Sequence, residues 1–378
     1  MPYWRLSAFY FFYFASLGAL VPYWGLYLQS LGFASVAIGS LMAVLMATKV
    51  VAPNLWGWLA DHLGHRMLWV QLASGLALLS FAGVFAAHGF WGMAAVMTLF
   101  SFFWNASLPQ FEAVTLDHLG ARADRYTHVR LWGSVGFILA VVGVGRLVDG
   151  AGPQTVVWAV LATFGGVLLA SLLVPDHDGR VDHEPQPPLA AVLRRPEVIA
   201  LFAAVFLMQA SHGPYYAFYS IYLQDHGYTK TTIGLLWSLG VVAEVVLFLF
   251  MHRLMARYRA ALILVASLAL AGVRWLLIGW FVDQLPVLAL AQLLHAASFG
   301  SFHAAAIHLV HHHFRGPNQG RGQALYASLS FGAGGAVGTF ASGFLWDTLG
   351  PPVAYTLASA TALAGALVMS RRAEPPSS

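Results

Sequence analysis

Long apolar runs alternate with short polar connections along most of the chain. Each run holds about 20 residues, the length that a helix needs to cross the hydrocarbon core of a bilayer. The pattern therefore predicts an all-α membrane protein with twelve transmembrane helices. The predicted segments are 6–28, 37–60, 67–87, 90–110, 129–149, 154–174, 198–223, 232–252, 260–282, 286–309, 323–346 and 352–370.

Arginines are distributed unevenly between the two ends of these segments. They cluster at both termini and in the connections from even-numbered to odd-numbered helices, and such clusters mark the cytoplasmic side. The opposite side holds Lys230, with Arg146 near a helix end. The sequence therefore predicts a bacterial inner-membrane protein whose N- and C-termini are cytoplasmic. The arginines on that side are Arg5, Arg66, Arg122, Arg125, Arg180, Arg194, Arg195, Arg253, Arg257, Arg259, Arg315, Arg321, Arg371 and Arg372.

The chain is predicted to consist of two six-helix bundles. Residues 175–197 are rich in proline and charge, so they are interpreted as a cytoplasmic linker between residues 1–174 and 198–378. Residues 27–41 and 222–236 are identical at seven of fifteen positions at a constant offset of 195. Parallel repeats of this kind occur in transporters that move two bundles around a central site. An old duplication without such movement is the alternative.

Composition excludes several other classes of protein. Hydrophobic residues make up 59% of the chain and charged residues 9%, which is too little charge to cover a soluble protein of this length. Cytoplasmic arginines account for the net charge of +4, so no nucleic-acid partner is predicted. Cysteine is absent, and adjacent histidines in 308–314 point in different directions on a helix, so no metal or cofactor is predicted. Enzyme motifs are not found; a membrane enzyme or a sensor is the alternative class.

One carboxylate interrupts the apolar stretch 235–250. A charge such as Glu244 costs on the order of 3 kcal/mol at the bilayer centre, so it needs a partner or a function. Arg274 is the only basic residue in the ninth predicted helix and is the expected partner, and His295 follows in the tenth. A proton relay is one interpretation of these residues. A static buried ion pair is the other.

Lys49 lies in the middle of the second predicted helix, about three turns from the nearest acidic residue of that helix, Asp61. A substrate carboxylate would satisfy this ammonium group; alternatively, the side chain reaches water in a central cavity. Aromatic and polar residues occupy the first helix of each half and can stack on a ring or donate a hydrogen bond. An interfacial aromatic belt is the alternative. The candidates from this set are Tyr23, Tyr27, Gln209, His212 and Tyr216.

Residues 57–66 read GWLADHLGHR. This stretch resembles the G-x-x-x-D-x-x-G-x-R loop motif of the major facilitator superfamily. The resemblance implies the major facilitator fold and secondary transport. It also implies that Gly57, Asp61, Gly64 and Arg66 form a cytoplasmic gate motif.

Four further motifs resemble the branch of phenylpropionate permease-like and lactose permease-like proton symporters: RLWGSVGF, SLGVVAEV, GVRW and QLLH, at 130–137, 238–245, 272–275 and 292–295. The resemblance implies that Glu112 and Arg130 bind substrate. It also implies that Glu244, Arg274 and His295 form a proton-coupling network. One departure is that Ser298 stands where lactose permease-like proteins carry a second glutamate.

Together these features predict a proton-coupled importer of a small organic solute, such as the aromatic monocarboxylate 3-phenylpropionate. The alternatives are a sugar or nucleoside proton symporter and, because of Ser298, a facilitator without proton coupling. Twelve helices form a complete transport unit, so a monomer in the lipid bilayer is expected. The predicted substrate-binding residues are Lys49, Glu112, Arg130, Tyr23, Tyr27, Gln209, His212 and Tyr216.

Overall fold

The computed structural model describes residues 2–176 and 189–372. Nearly all of these residues are helical, and the two ranges contain no β-strand. Part of the predicted linker, residues 177–188 with Arg180, lies outside the described residues. Residues 373–378 of the predicted C-terminal tail also lie outside them.

Helices cover every segment that the apolar pattern predicts, so the all-α fold is confirmed. Ten helices in the described ranges are long and apolar enough to cross a membrane, and α4 and α11 lie at the fourth and eleventh predicted segments. The bounds are α1 Tyr3–Ser30, α2 Ser35–Leu63, α3 Arg66–Ala82, α4 Gly89–Leu119, α5 Tyr126–Ala151, α6 Thr155–Leu173, α7 Pro196–Asp225, α8 Lys230–Arg257, α9 Ala260–Trp280, α10 Leu285–His313, α11 319–349 and α12 Pro351–Ser370.

Three of these helices are interrupted within the span. The α7 helix is divided into Pro196–Ser211 and Gly213–Asp225, because Pro214 lacks a backbone N–H and its ring crowds the preceding turn. The α10 and α11 helices contain π-helical segments at Ala296–Ser301 and Ser328–Gly334. Such segments frequently occur at functional sites.

The helices group into two compact units. The first unit comprises Met1–Asp182 with Gly227–Ser238, and the second comprises His183–His226 with Leu239–Ser378. In the first unit, α1 packs on α5 and α6, and α4 packs on α2 and α3. In the second unit, α12 packs on α7 and α9. The first turns of α8 therefore belong to the first unit and the remainder to the second.

Hydrogen bonds fix the first turn of α8 within the first unit. The carboxylate of Asp149, near the end of α5, accepts hydrogen bonds from the backbone N–H groups of Lys230 at 2.9 Å and Thr231 at 2.8 Å. It also accepts one from the hydroxyl of Thr231 at 2.7 Å. A carboxylate at a helix N-terminus satisfies orphan donors and interacts favourably with the helix dipole.

Large apolar side chains remain exposed on the outer helix faces. Examples are Trp91, Leu79 and Leu249, which are 81%, 71% and 66% exposed. A soluble protein would bury residues of this size, whereas a bilayer solvates them. The exposed faces therefore agree with a protein that crosses the membrane several times.

Glycines allow α5 and α11 to approach the first helix of their own units. A Cβ atom at Gly136 would clash with the carbonyl oxygen of Phe11, and one at Gly334 would lie 2.5 Å from that of Phe206. Phe11 and Phe206 are 195 positions apart, which is the offset of the sequence repeat. Both units therefore use a small residue for the same close approach between helices.

Gly136→Ala is expected to destabilise the protein by about 1–3 kcal/mol, because the added methyl group forces α5 away from α1. Gly143→Ala on the same helix is the matched control, since a Cβ atom there would meet nothing within 4 Å. Thermal unfolding of the two purified variants in detergent would show the difference. Equal unfolding temperatures would contradict the close approach at Gly136.

Candidate functional site

A buried arginine forms the centre of a polar cluster in the second unit. Arg274 on α9 is 0% exposed. Its guanidinium donates hydrogen bonds to Oγ of Ser298 at 3.1 Å and to Oε1 of Gln292 at 3.2 Å. It also lies 4.3 Å from the ring centroid of Tyr215 and 4.7 Å from that of Trp275. All these partners are neutral, and within the described part of the chain no carboxylate pairs with this guanidinium.

Gln292 connects this arginine to the aromatic residues of α7. Its Oε1 accepts a second hydrogen bond from the hydroxyl of Tyr215 at 3.0 Å, and its Nε2 donates to the hydroxyl of Tyr219 at 2.7 Å. The amide is 0% exposed. A buried network of this kind fixes the orientation of the guanidinium and of both tyrosines.

The ion pair that the structure shows for Glu244 is with His295. Oε2 of Glu244 lies 3.4 Å from Nε2 of His295, and the two side chains are 18% and 11% exposed. This contact replaces the pairing of Glu244 with Arg274 that the sequence predicts. His295 directly precedes the π-helical segment of α10, whose geometry directs side chains differently from a regular α-helix.

Two glycines make room for this ion pair. A Cβ atom at Gly240 would lie 3.2 Å from the His295 side chain, and one at Gly300 would lie 3.0 Å from Cγ of Glu244. Gly240 lies four residues before Glu244 on α8, and Gly300 lies five residues after His295 on α10. Any larger residue there would have to displace the carboxylate or the imidazole ring.

Several buried polar atoms near the break in α7 have no hydrogen-bond partner among the described residues. They include Nε2 and Oε1 of Gln209, Nε2 of His212 and Nε of Arg274. Nδ1 of His212 lies 2.8 Å from the carbonyl oxygen of Met208, so Nδ1 carries the proton and Nε2 can accept a hydrogen bond. Unsatisfied buried polar atoms are costly, and a polar solute could satisfy these.

Tyr216, also predicted to bind substrate, stacks on His212 with 5.5 Å between ring centroids. The structure thus brings six predicted residues into the second unit: Gln209, His212, Tyr216, Glu244, Arg274 and His295.

An aromatic stack continues along α10 from His295. Its ring lies 5.2 Å from Phe299, and Phe299 lies 6.4 Å from His303, with nearly parallel planes in both pairs. Nδ1 of His303 lies 2.9 Å from the hydroxyl oxygen of Tyr326 on α11. The sequence analysis did not identify His303 or Tyr326, since neither belongs to a recognisable motif.

Lys49 stands apart in the first unit. Its side chain is half-buried on α2, and among the described residues its ammonium group has one polar contact, the thioether sulfur of Met46 at 3.5 Å. A thioether is a weak acceptor and carries no charge. The neighbouring Thr48 is bonded instead to Ser101 at 2.9 Å and Asn105 at 2.9 Å. The cation therefore lacks a counter-charge in this part of the protein.

Glu112 and Arg130 occupy one region of the first unit without a direct hydrogen bond between them in the described structure. Oε1 of Glu112 accepts a hydrogen bond from the hydroxyl of Tyr126 at 3.2 Å. The guanidinium of Arg130 lies 3.8 Å from the ring centroid of Phe14 and 5.7 Å from that of Tyr10. The site therefore offers a carboxylate acceptor, a cation and aromatic rings.

Two aromatic residues that are predicted to bind substrate, Tyr23 and Tyr27, make packing contacts in the structure, and their role in binding stays a prediction. The hydroxyl of Tyr23 donates to the carbonyl oxygen of Val141 at 2.6 Å and lies 3.2 Å from that of Lys230. Tyr27 packs on Trp24 with 4.9 Å between ring centroids and is 7% exposed. Sequence alone cannot separate a packed tyrosine from a ligand-binding one, because both occur in apolar helices.

The predicted gate motif forms a compact loop in the first unit. Arg66 donates a hydrogen bond to Oδ1 of Asp61 at 2.6 Å. Gly64 has φ of 69°, a conformation that favours glycine. A Cβ atom at Gly57 would lie 3.3 Å from Nε2 of Gln110. The latch role of this loop stays a prediction.

Membrane-length helices and buried ionisable residues define the class of the protein, and comparisons with known proteins agree. The chain belongs to the MFS_1-like family, whose model matches residues 3–357. It is therefore a multi-pass membrane transporter of the major facilitator type that acts on a small-molecule substrate, and its relatives are transporters rather than enzymes.

Two relatives cover nearly the whole chain. A probable 3-phenylpropionic acid transporter of Escherichia coli (strain K12) is 31% identical over 358 residues, which are 92% of each protein. A maltose permease of Geobacillus stearothermophilus is 26% identical over 372 residues, which are 96% of this chain and 92% of that protein.

Solved structures share the fold at low sequence identity. A nucleoside transporter, NupG, matches with a TM-score of 0.85 and 17% identity, covering 99% of this chain and 100% of that one. A peptide transporter of the POT family, PepTSo, matches with a TM-score of 0.79 and 11% identity, covering 98% and 97%. These likenesses confirm the major facilitator fold.

Proposed function

We propose that the protein imports a small aromatic monocarboxylate, such as 3-phenylpropionate, together with a proton by alternating access. It acts as a monomer in the bacterial inner membrane, with both termini in the cytoplasm. The observation that supports this proposal most directly is the environment of Lys49. A half-buried ammonium group whose polar contact is a thioether is stabilised by an anion, and a carboxylate-bearing substrate supplies one.

Arg274 supports an anionic substrate from the second unit. Its hydrogen-bond partners are a hydroxyl and an amide, and no carboxylate among the described residues neutralises its charge. The rings of Tyr215 and Trp275 flank it. A cation beside aromatic surfaces suits a ligand that combines a carboxylate with a phenyl ring. The acid for which the relative with 31% identity is named, 3-phenylpropionic acid, has this chemistry.

Glu244 and His295 are the proposed proton carriers. A carboxylate and an imidazole 3.4 Å apart can share or exchange a proton. The low exposure of both side chains limits their contact with water. Protonation of the pair therefore depends on which side of the membrane the site is open to. Ser298 leaves no second carboxylate on the next turn of α10, so the coupling role falls to this pair.

A sugar symporter is the second candidate. It is favoured by the Glu112 carboxylate, which already accepts a hydroxyl hydrogen bond from Tyr126. Sugar hydroxyls can bind a carboxylate in the same way, and a maltose permease is among the relatives. An uncoupled facilitator is distinguished by transport that does not respond to a pH gradient.

The decisive experiment uses purified protein in lightly buffered proteoliposomes containing a pH-sensitive dye. Addition of 3-phenylpropionate outside is expected to acidify the lumen faster than in empty vesicles. Counterflow with labelled aromatic acids, sugars and nucleosides then tests the substrate class. Counterflow of a sugar without that of an aromatic acid would replace the proposal by the second candidate.

Lys49→Gln separates anionic from neutral substrates. Uptake of 3-phenylpropionate is expected to fall about ten-fold or more, because a charge-assisted hydrogen bond contributes about 1.5–3 kcal/mol. Uptake of a neutral solute would largely survive. Lys230→Gln is the matched control, since Lys230 is the only other lysine in the chain. An equal loss in both variants would contradict a specific role for Lys49.

A further inference from the structure

Four helix ends of the second unit meet around a basic cavity. The ends are the starts of α7 and α9 and the ends of α10 and α12. The cavity has a volume of about 270 Å³. The residues that line it include Glu197, Arg259, His308, His312, His313 and Arg372.

The charge of this cavity is positive. Two arginines stand against one carboxylate, that of Glu197, and three histidines add to the positive charge whenever they are protonated. Arg259 and Arg372 are both exposed. Arg315, two residues beyond the end of α10, lies close to His312, with its Nε donating to the His312 carbonyl oxygen at 3.2 Å. The cavity therefore attracts anions.

An apolar groove adjoins the cavity. It has a volume of about 180 Å³ and is lined by Ala261, Leu262 and Val265 of α9, together with Arg259 and Ser370. Arg259 and Ala261 line both the cavity and the groove. Leu262 is 54% exposed, so the groove opens on an outer face of the second unit, where a bilayer supplies acyl chains.

We propose that the cavity and the groove together bind one anionic phospholipid. The phosphate of its headgroup lies against Arg259 and Arg372, and an acyl chain lies along Leu262 and Val265. A zwitterionic phospholipid would also fill the groove, but its quaternary ammonium group would offset the charge of its phosphate and add a cation beside the arginines. Free phosphate would meet the arginines but leave the groove unfilled. The adjoining polar and apolar surfaces match a molecule that carries both parts.

The proposed lipid site is independent of substrate recognition. Lys49, Arg274 and Glu244 line neither the cavity nor the groove. A binding measurement on the full chain therefore tests the lipid site without any transport assay. Failure of lipid binding would leave the proposed function untouched, and failure of transport would leave the lipid site untouched.

The test compares thermal unfolding of the delipidated full-length protein in detergent with phosphatidylglycerol, phosphatidylcholine of the same acyl chains, or inorganic phosphate. Phosphatidylglycerol is expected to raise the unfolding temperature at lower concentrations than phosphatidylcholine. The double substitution Arg259→Gln and Arg372→Gln is expected to weaken the apparent affinity for phosphatidylglycerol about 25-fold, or about five-fold per arginine.

The matched control is Arg253→Gln with Arg257→Gln. These exposed arginines near the end of α8 lie over Phe250 and Tyr258 and do not line the cavity. The control carries the same change of net charge and is expected to keep the wild-type response. An equal loss of phosphatidylglycerol affinity in both double variants would show that the effect comes from general surface charge. That result would overturn the proposed site.

A second measurement tests the proposal on the wild-type protein, in case the double variant folds poorly. Native mass spectrometry of the wild-type protein counts phosphatidylglycerol and phosphatidylcholine adducts directly, and retention of phosphatidylglycerol alone at matched concentration supports the proposal. Equal retention of the two lipids would overturn it. Stabilisation by inorganic phosphate equal to that by phosphatidylglycerol would also overturn it, in favour of a free-anion site.

Discussion

Ser298→Glu is expected to cause a large loss of 3-phenylpropionate uptake. The Ser298 hydroxyl already accepts a hydrogen bond from Arg274 at 3.1 Å, so a glutamate at this position can reach the guanidinium and neutralise it. Loss of one charge pair in a buried site weakens the binding free energy by about 2–5 kcal/mol, which is roughly 30-fold to more than 1000-fold in affinity. Here the new glutamate would take the place of the substrate carboxylate. The measurement is the initial rate of labelled uptake into proteoliposomes at equal protein density.

Ser298→Gln is the matched control for this substitution. Glutamine has the same size as glutamate and can accept the same hydrogen bond, but it leaves the guanidinium charge without a counter-ion. Its uptake rate is therefore expected to stay far above that of the glutamate variant. Equal loss in both variants would assign the effect to packing, since Ser298 is 0% exposed. Full activity of the glutamate variant would contradict anion binding by Arg274.

Ser298 stands where lactose permease-like proteins carry a glutamate, and this difference has a physical consequence for Arg274. On the sequence alone, Ser298 casts doubt on proton coupling because the resemblance implies a carboxylate at that position. In the structure, the same serine and Gln292 are the hydrogen-bond acceptors of Arg274, and both are neutral. A guanidinium that no carboxylate of residues 2–176 or 189–372 neutralises is available to an anionic substrate. The departure therefore supports the proposed substrate class.

The helices could be predicted from the sequence because the length of an apolar run is a local property. The eighth predicted segment, 232–252, corresponds to Lys230–Arg257, and the ninth, 260–282, to Ala260–Trp280. The differences lie at the ends. The eighth helix continues beyond its apolar run through polar residues, whereas the ninth helix ends two residues before its predicted segment. Apolarity marks the part of a helix within the hydrocarbon and does not mark where the helix itself ends.

The interruptions within helices were harder to predict from the sequence. Pro214 could have indicated the break in α7, since proline disrupts the preceding turn. The π-helical segments Ala296–Ser301 and Ser328–Gly334 have no such local marker. They depend on how α10 and α11 pack against their neighbours.

The partners of the buried charges depend on helix rotation, which the sequence does not specify. The sequence identified Glu244, Arg274 and His295 as one polar group, and the structure places all three in the second unit. It pairs Glu244 with His295, however, and Arg274 with Gln292 and Ser298. The glutamine lies in the quoted motif QLLH, where a polar residue within an apolar helix could have indicated its role.

Glu244→Gln is expected to remove proton coupling while leaving substrate exchange intact. Glutamine preserves the shape of the side chain and can still hydrogen-bond to His295, but it cannot take up or release a proton. Lumen acidification on addition of 3-phenylpropionate should therefore fall to the rate of empty vesicles. Counterflow of labelled 3-phenylpropionate needs no net proton movement, so it is expected to continue at a rate close to that of the wild type.

Glu244→Asp is the control, since it restores a protonatable carboxylate one methylene shorter and is expected to recover part of the acidification. The comparison with empty vesicles matters because the neutral form of a weak acid also crosses lipid unaided. Acidification by Glu244→Gln at the wild-type rate would show that protons travel by another group, with His295 the next to test. Loss of counterflow together with acidification would place Glu244 in substrate binding. A loss of acidification without a loss of counterflow is the result that fits a partly buried carboxylate, 3.4 Å from an imidazole, that carries the proton.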